Sequence, residues 1–232
     1  MTRAAVVSCE HASRAVPARA RSALRGARAL LPTHRGFDAG AAELARDLAR
    51  ALGAPLHLGR ATRLAVDLNR SLEHPAAFSR FTHRLPPEER EALARELWRP
   101  FRAAVLADVA ARARRGDALH LSVHTFTPRF AGRVRAIDVA LLYDPRRPRE
   151  RAFADRWLAA LAARRPDLRL RRNAPYRGDS DGHTTALRAR FGAARYRGLE
   201  LEVSQRFVRG APAAWRALRA ALCASLLEAL DT

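Results

Sequence analysis

The chain has 232 residues, 48% hydrophobic and 28% charged, enough for one sizeable domain spanning residues 1–232 and ordinary for a globular protein. Its formal net charge of +20 raises the question of nucleic acid, yet all 43 basic residues are arginine, and the aromatic residues, at 6%, are not interleaved with them. Selection for phosphate contacts would not exclude lysine, so nucleic acid is disfavoured as the main partner.

Ala4–Ser8 reads as a buried strand that ends in Cys9-Glu10-His11. Asp38–Leu52 carries apolar residues at helical spacing, with Gly53 as the stop. Pro55–Leu58 and Leu64–Leu68 read as strands. Pro86-Pro87 and three glutamates open a helical pattern that runs, with a break expected near Pro100, to Arg115 and Gly116. Leu119–Val123 predicts a strand ending at His124, and Ile137–Tyr143 another, closed by Asp144-Pro145. A helix over Arg149–Ala163, a short strand at Leu168–Leu170 and a turn-rich loop from Asn173 to Gly182 follow. Thr184–Phe191 suits a short helix, Gly198–Val203 a strand, and Ala213–Leu230 a closing helix. Strands alternating with helices predict an α/β fold with a central mixed, mostly parallel sheet flanked by helices in three layers. No internal repeat or linker interrupts it. No apolar stretch has the length of a signal h-region or a membrane span. Cys9 and Cys223 form neither a CxxC pair nor a disulfide framework. The expectation is a cytoplasmic enzyme without a membrane partner.

In such sheets, ligands bind beyond the carboxyl ends of the strands, and there the chemistry collects. Glu10 and His11 end the first strand and His124 a later one, where His120, Ser122 and His124 share a face. One histidine alone would be read as capping a strand by a hydrogen bond; a second at another strand end favours a site. Glu200 and Glu202 share a face of the last strand. That alternation fits either a solvent-facing edge or two carboxylates at the end of a central strand. His34 and Asp38, four apart, can share a helix face or form a helix cap. Arg70, just past Asp67-Leu68-Asn69, is suited to hold a carboxylate. Two imidazoles and a carboxylate with a fourth position open would suffice for zinc, although the dense spacing of HExxH is absent.

Taken in order, Ser8-Cys9-Glu10-His11-Ala12-Ser13, His34-x-x-x-Asp38-x-Gly40-Ala41, Asp67-Leu68-Asn69-Arg70, Ser122-Val123-His124-Thr125-Phe126-Thr127-Pro128 and Gly198-Leu199-Glu200-Leu201-Glu202-Val203-Ser204-Gln205 resemble the N-formylglutamate amidohydrolase family over nearly the whole chain. Asn173-Ala174-Pro175-Tyr176 and Asp181-Gly182-His183-Thr184 belong to the same set. The family is similar in plan to zinc carboxypeptidases and aspartoacylase-like enzymes, which implies a phosphorylase/hydrolase-like fold and a single zinc ion. The resemblance implies His11 and His124 as metal ligands, Glu202 as catalytic base, and Asn69 with Arg70 as a clamp for the substrate carboxylate. Carboxypeptidases use His-x-x-Glu for their first two ligands, whereas Arg14 stands three residues after His11 here. The third ligand must come from elsewhere, and the resemblance implies Asp38, whose His/Asp-x-x-x-Asp setting recurs in the family, with Glu10 as substitute. Glu202 is preferred over Glu200 because the Glu-x-x-Gln pattern to Gln205 matches the family there.

Arg63, Arg133 and Arg135 are candidates for a second carboxylate, and the loop at 173–184 for a cover over the site. The activity implied is hydrolysis of an N-formyl or other N-acyl amino acid, such as N-formyl-L-glutamate, to formate and glutamate. The rivals are a zinc hydrolase for another N-acyl amino acid or short peptide, and a basic non-enzymatic nucleic-acid-binding protein. Cobalt or manganese would suit the same ligands.

Overall fold

The computed structural model describes residues 4–231. Its centre is a six-stranded sheet in the order β2-β1-β3-β8-β6-β7. The strands are β1 (Ala5–Cys9), β2 (Leu56–Leu58), β3 (Ala118–Phe126), β6 (Val139–Leu142), β7 (Leu170–Arg172) and β8 (Tyr196–Ser204). A separate two-stranded hairpin pairs β4 (Arg129–Phe130) with β5 (Arg133–Val134). Neighbours in the large sheet run parallel except β6, which is antiparallel to β8. The carboxyl ends of β1, β3 and β8 therefore meet at one edge.

The helices are α1 (Ala41–Leu52), α2 (Pro87–Leu93), α3 (Arg99–Arg115), α4 (Pro148–Arg164), α5 (His183–Arg188) and α6 (Pro212–Asp231). Strand alternation divides the sheet's residues between two layers. Val7, Cys9, Leu121, Val123, Leu199, Leu201 and Val203 form the main core with α1, α4 and α6. Val6 packs instead with Val105 and Val109 of α3 and Leu187 of α5. By the same alternation, Ser8, His120, Ser122, His124, Glu200 and Glu202 lie on this second face.

Most expected elements are present, and the departures have local causes. Leu64–Leu68 is no strand. Ala65 N donates to Thr62 O and Arg70 N to Asp67 O, so the segment runs as successive turns. Its apolar residues serve a small core instead, where Leu64 and Ala65 pack with Leu24, Ala27 and Leu93. Asp38 and His34 do not share a helix, because α1 begins only at Ala41. Gly40 before it has φ 80°, and a Cβ there would lie 2.6 Å from Val208; only glycine fits. The break expected near Pro100 is a π turn over Ala94–Trp98, which joins α2 to α3 ahead of the proline's missing N–H. The short strand expected at Leu168–Leu170 is β7, two residues later. The hairpin at 129–134 was not expected.

Candidate active site

A cleft of about 260 Å³ opens at the shared edge of β1, β3 and β8, with His11, Asp38, His124 and Glu202 in its lining. Asp38 is held by its backbone, whose N–H donates to His11 O at 3.0 Å. Its Oδ2 lies 3.3 Å from His11 Nδ1 and 3.0 Å from His124 Nδ1. The three residues are buried, and each offers a ligand atom within 4.8 Å of the others. Two imidazole nitrogens and a carboxylate oxygen converging in this way form a donor set that suits a divalent metal.

The outer nitrogen of each imidazole is also occupied. His11 Nε2 donates to Asp67 Oδ1 at 2.7 Å, and Asp67 is itself gripped by Arg63 at 2.6 Å and 3.1 Å. His124 Nε2 donates to Ser122 Oγ at 2.9 Å, and that hydroxyl donates to Glu10 Oε2 at 2.7 Å. Fixing the far nitrogen in this manner turns Nδ1 toward Asp38 and is the usual support for a metal-ligating histidine. Glu10 is thus turned away from Asp38 into a buried network. Ser8 Oγ and His183 Nδ1 donate to its Oε1 at 2.8 Å and 2.9 Å. Because the Ser8 proton goes to Glu10, His120 Nε2 donates to Ser8 Oγ and Tyr196 OH donates to His120 Nδ1.

The electrostatics follow from this wiring. Burial works against the charge on Glu10, but the hydrogen bond and charge of His183, with His124 and His120, hold its carboxyl well below the usual range. Burial likewise opposes ionised Asp38, and His11 and His124 overcome it, so its carboxyl also lies below the usual range. Burial resists a charged His124, yet Asp38, Glu202 and Glu10 lift it to about 10. His120, desolvated and beside His183, falls to about 3 and is neutral.

Glu202 pairs in register with His124 across β3 and β8. Burial is the largest influence on it, and with the nearby Asp38 and Glu200 charges it raises the carboxyl to about 8 despite His124. Its Oε2 is buried and has no hydrogen-bond partner. Its neighbour Glu200 accepts a hydrogen bond from Thr184 Oγ1 at 2.8 Å.

The other residues singled out in the sequence lie around this centre. Arg70 lines the cleft, and its Nη1 donates to Asp181 O. Trp98 and Arg102 pin the segment by donating to Arg70 O at 2.8 Å and 3.0 Å. Asn69 Oδ1 accepts from the His183 backbone N–H at 2.8 Å, while its Nδ2 lies 3.4 Å from His124 Nε2. Arg63 lines the cleft but is spent on Asp67. Arg135 stands at the mouth, stacked on aromatic rings, and Arg133 is exposed on β5. Tyr176, Arg177, Ser180 and Asp181 of the turn-rich loop form one wall of the cleft. Sequence reasoning assigned no role to Asp67 as partner of His11, to Ser122, or to His183. The Asp-Gly-His-Thr run was the available signal for His183.

A mostly parallel α/β sheet here carries a His–Asp–His cluster and a desolvated glutamate at its strand ends, a set of groups suited to hydrolytic chemistry. Comparison with known proteins gives the family. The family model for N-formylglutamate amidohydrolase matches residues 3–209, and the chain belongs to that amidohydrolase family, whose members act on small molecules. Among solved structures, a gene product of Agrobacterium tumefaciens is similar at 28% identity and a TM-score of 0.83, covering 98% of this chain and 90% of that one. An N-formylglutamate amidohydrolase from Ralstonia eutropha shares the fold at 20% identity and a TM-score of 0.71, covering 98% and 93%. No curated protein matches the sequence. No helix among the described residues is long and apolar enough to cross a membrane.

Proposed function

We propose that this chain is a zinc-dependent amidohydrolase that cleaves the amide of N-formyl-L-glutamate or a related N-acyl amino acid, with His11, Asp38 and His124 as metal ligands and Glu202 as base. The observation that carries the reading is the buried, unpartnered Oε2 of Glu202 beside a His–Asp–His cluster whose outer nitrogens are already fixed. A metal fits these residues. The donor set is right, the supporting hydrogen bonds are of the kind metal-binding histidines use, and three buried groups of mixed charge otherwise crowd one another. Zinc bound there supplies a Lewis acid for the acyl carbonyl and lowers the pKa of water.

The chain's own residues do the rest. Glu202, buried beside the cluster and kept ionised by the charge a bound metal would bring, accepts the proton of the attacking water and later delivers it to the leaving amine nitrogen. Arg70, held open to the cleft by Asp181, Trp98 and Arg102, offers its guanidinium to the amino acid's carboxylate, with the Asn69 amide beside it. Asp67 and Ser122 keep the two imidazoles aimed at Asp38.

The test is metal content by mass spectrometry on protein kept from chelators, wild type beside His124→Ala, followed by an N-formylglutamate assay. About one zinc per wild-type chain, little in the variant, and formate release by the wild type alone are expected. A wild type that neither carries zinc nor takes it up when supplied overturns the reading.

A further inference from the structure

The floor of the cleft is polar and charged, but its mouth is not. Among the described residues the exposed large hydrophobic side chains are Phe130, at 53% exposure, Val134 at 64% and Tyr176 at 45%. Single exposed apolar residues are ordinary on a surface. Phe130 and Tyr176, however, come from two separate segments brought together beside the cleft, Tyr176 in its lining and Phe130 against its His34.

Arg135 joins them. Its guanidinium lies 4.7 Å from the Phe130 ring, 5.2 Å from Tyr176 and 5.7 Å from Phe126, and it donates to Tyr176 OH at 3.1 Å. Phe130 in turn meets the ring of His34, edge on, at 6.5 Å. Phe126, Tyr176 and His34 all line the cleft. The hairpin register explains the orientation. Phe130 pairs with Arg133 and so shares its face with Arg133 and, two residues on, Arg135. Val134 pairs with Arg129 on the other face, away from the opening. The tip that makes this possible is Ala131-Gly132, at φ 48° and 77°. Arg135 therefore acts as a spacer that holds two aromatic rings upright at the mouth by cation–π contact. It is stacked and hydrogen-bonded, unlike a free cation awaiting an anionic side chain.

We infer that this ring-lined mouth is a specificity subsite for a flat aromatic group, so that the preferred substrates are N-acyl amino acids bearing an aromatic side chain or an aromatic acyl group. The amide and carboxylate would lie on the polar floor, and the aromatic group would lie against the exposed surfaces of Phe130 and Tyr176, beside the Arg135 guanidinium that separates them. This rests on the amidohydrolase reading above and narrows its substrate class.

Steady-state kinetics would be measured on the zinc-loaded enzyme with N-formyl-L-phenylalanine, N-benzoyl-L-glutamate and N-formyl-L-glutamate, for the wild type, Phe130→Ser and Tyr176→Phe. Phe130 is an exposed hairpin residue, so its variant should fold. At least one aromatic substrate is expected to show a KM about tenfold below that of N-formylglutamate. Phe130→Ser should remove that advantage while leaving kcat and the N-formylglutamate KM unchanged, and Tyr176→Phe, which keeps the ring, should preserve it. N-formylglutamate turned over as well as the aromatic substrates, or a Phe130→Ser effect equal on all three, would overturn the inference and leave the amidohydrolase reading standing. No turnover of any of them would overturn both.

Discussion

Two buried ionic clusters flank strand β8, one at each end, and they are built on opposite principles. Near its amino end, Arg188 and Glu150 form a pair with almost no exposure. Both Glu150 oxygens meet Arg188 Nε, and they also accept from the backbone N–H groups of Gly198 and Asp144. Arg188 donates further to Gly178 O and Gly198 O, each at 2.6 Å. Near the carboxyl end, Asp38 draws in two imidazoles, and Glu202 keeps a buried oxygen with no partner. The first cluster is saturated, ties β8 to α4, α5 and the 173–182 loop, and needs nothing from outside. The second leaves an acceptor bare, at a cost that a stability-driven structure would avoid. Burial alone is therefore no mark of function; what sets the second cluster apart is a bare buried acceptor beside a set of metal-type donors.

The comparison breaks most sharply at Glu202. Glu202→Gln keeps the shape and removes the proton acceptor, so turnover should fall about a hundred- to ten-thousand-fold with metal content unchanged. Stability should move the other way. Because the folded carboxyl is raised from 4.5 to about 8, the metal-free wild type holds a proton that its unfolded chain releases. It must lose stability as pH climbs between those values. Gln has no such proton, so urea melts of the metal-free proteins at pH 5 and pH 8 should show the variant gaining on the wild type at the higher pH. An active variant, or parallel pH dependences, would remove Glu202 from its role.

At the other cluster the signs reverse. Arg188→Ala strands the Glu150 charge in the core and should destabilise the fold by about 3–5 kcal/mol, read as a lower urea midpoint. Zinc binding by the fraction that remains folded should be near normal. A surface-like loss, well under 1 kcal/mol, would mean that the saturated cluster contributes little.

How much of this was legible in the sequence divides along the same line. β1, β3 and β8 announced themselves because strands buried on both faces read as apolar runs, and the polar residues that interrupt them, Glu10, His124 and Glu202, stood out against that background. Leu64–Leu68 imitated that pattern, since an apolar alternation is also what a buried turn segment needs. His34 and Asp38 looked helical by spacing, when Gly40 delays the helix. The wiring behind the site, from His11 to Asp67 and from His124 through Ser122 to Glu10 and on to His183, joins residues far apart in the chain. No local pattern carries such contacts. The Arg188–Glu150 pair was equally hidden, in a chain where one arginine among 43 basic residues carries no signal.

The finest distinction between the clusters concerns Asp67, which belongs to both kinds at once. It pairs with Arg63 like a structural carboxylate, accepts the backbone N–H of Asn69 at 2.9 Å, and holds His11 Nε2 at 2.7 Å. If its main work is to orient His11, Asp67→Asn should weaken zinc affinity about 10- to 100-fold, the usual effect of losing such a support, as measured by competition with a chromophoric chelator. The unfolding midpoint of the metal-free protein should fall only modestly, because the one amide oxygen can still accept from Arg63, while the amide NH2 then faces Asn69 and His11 and removes the acceptor there. If its work is structural, the order reverses, with a large drop in midpoint and an unaltered zinc affinity. The two outcomes separate cleanly, since His11 keeps its place in the chain either way and only the hold on its outer nitrogen differs.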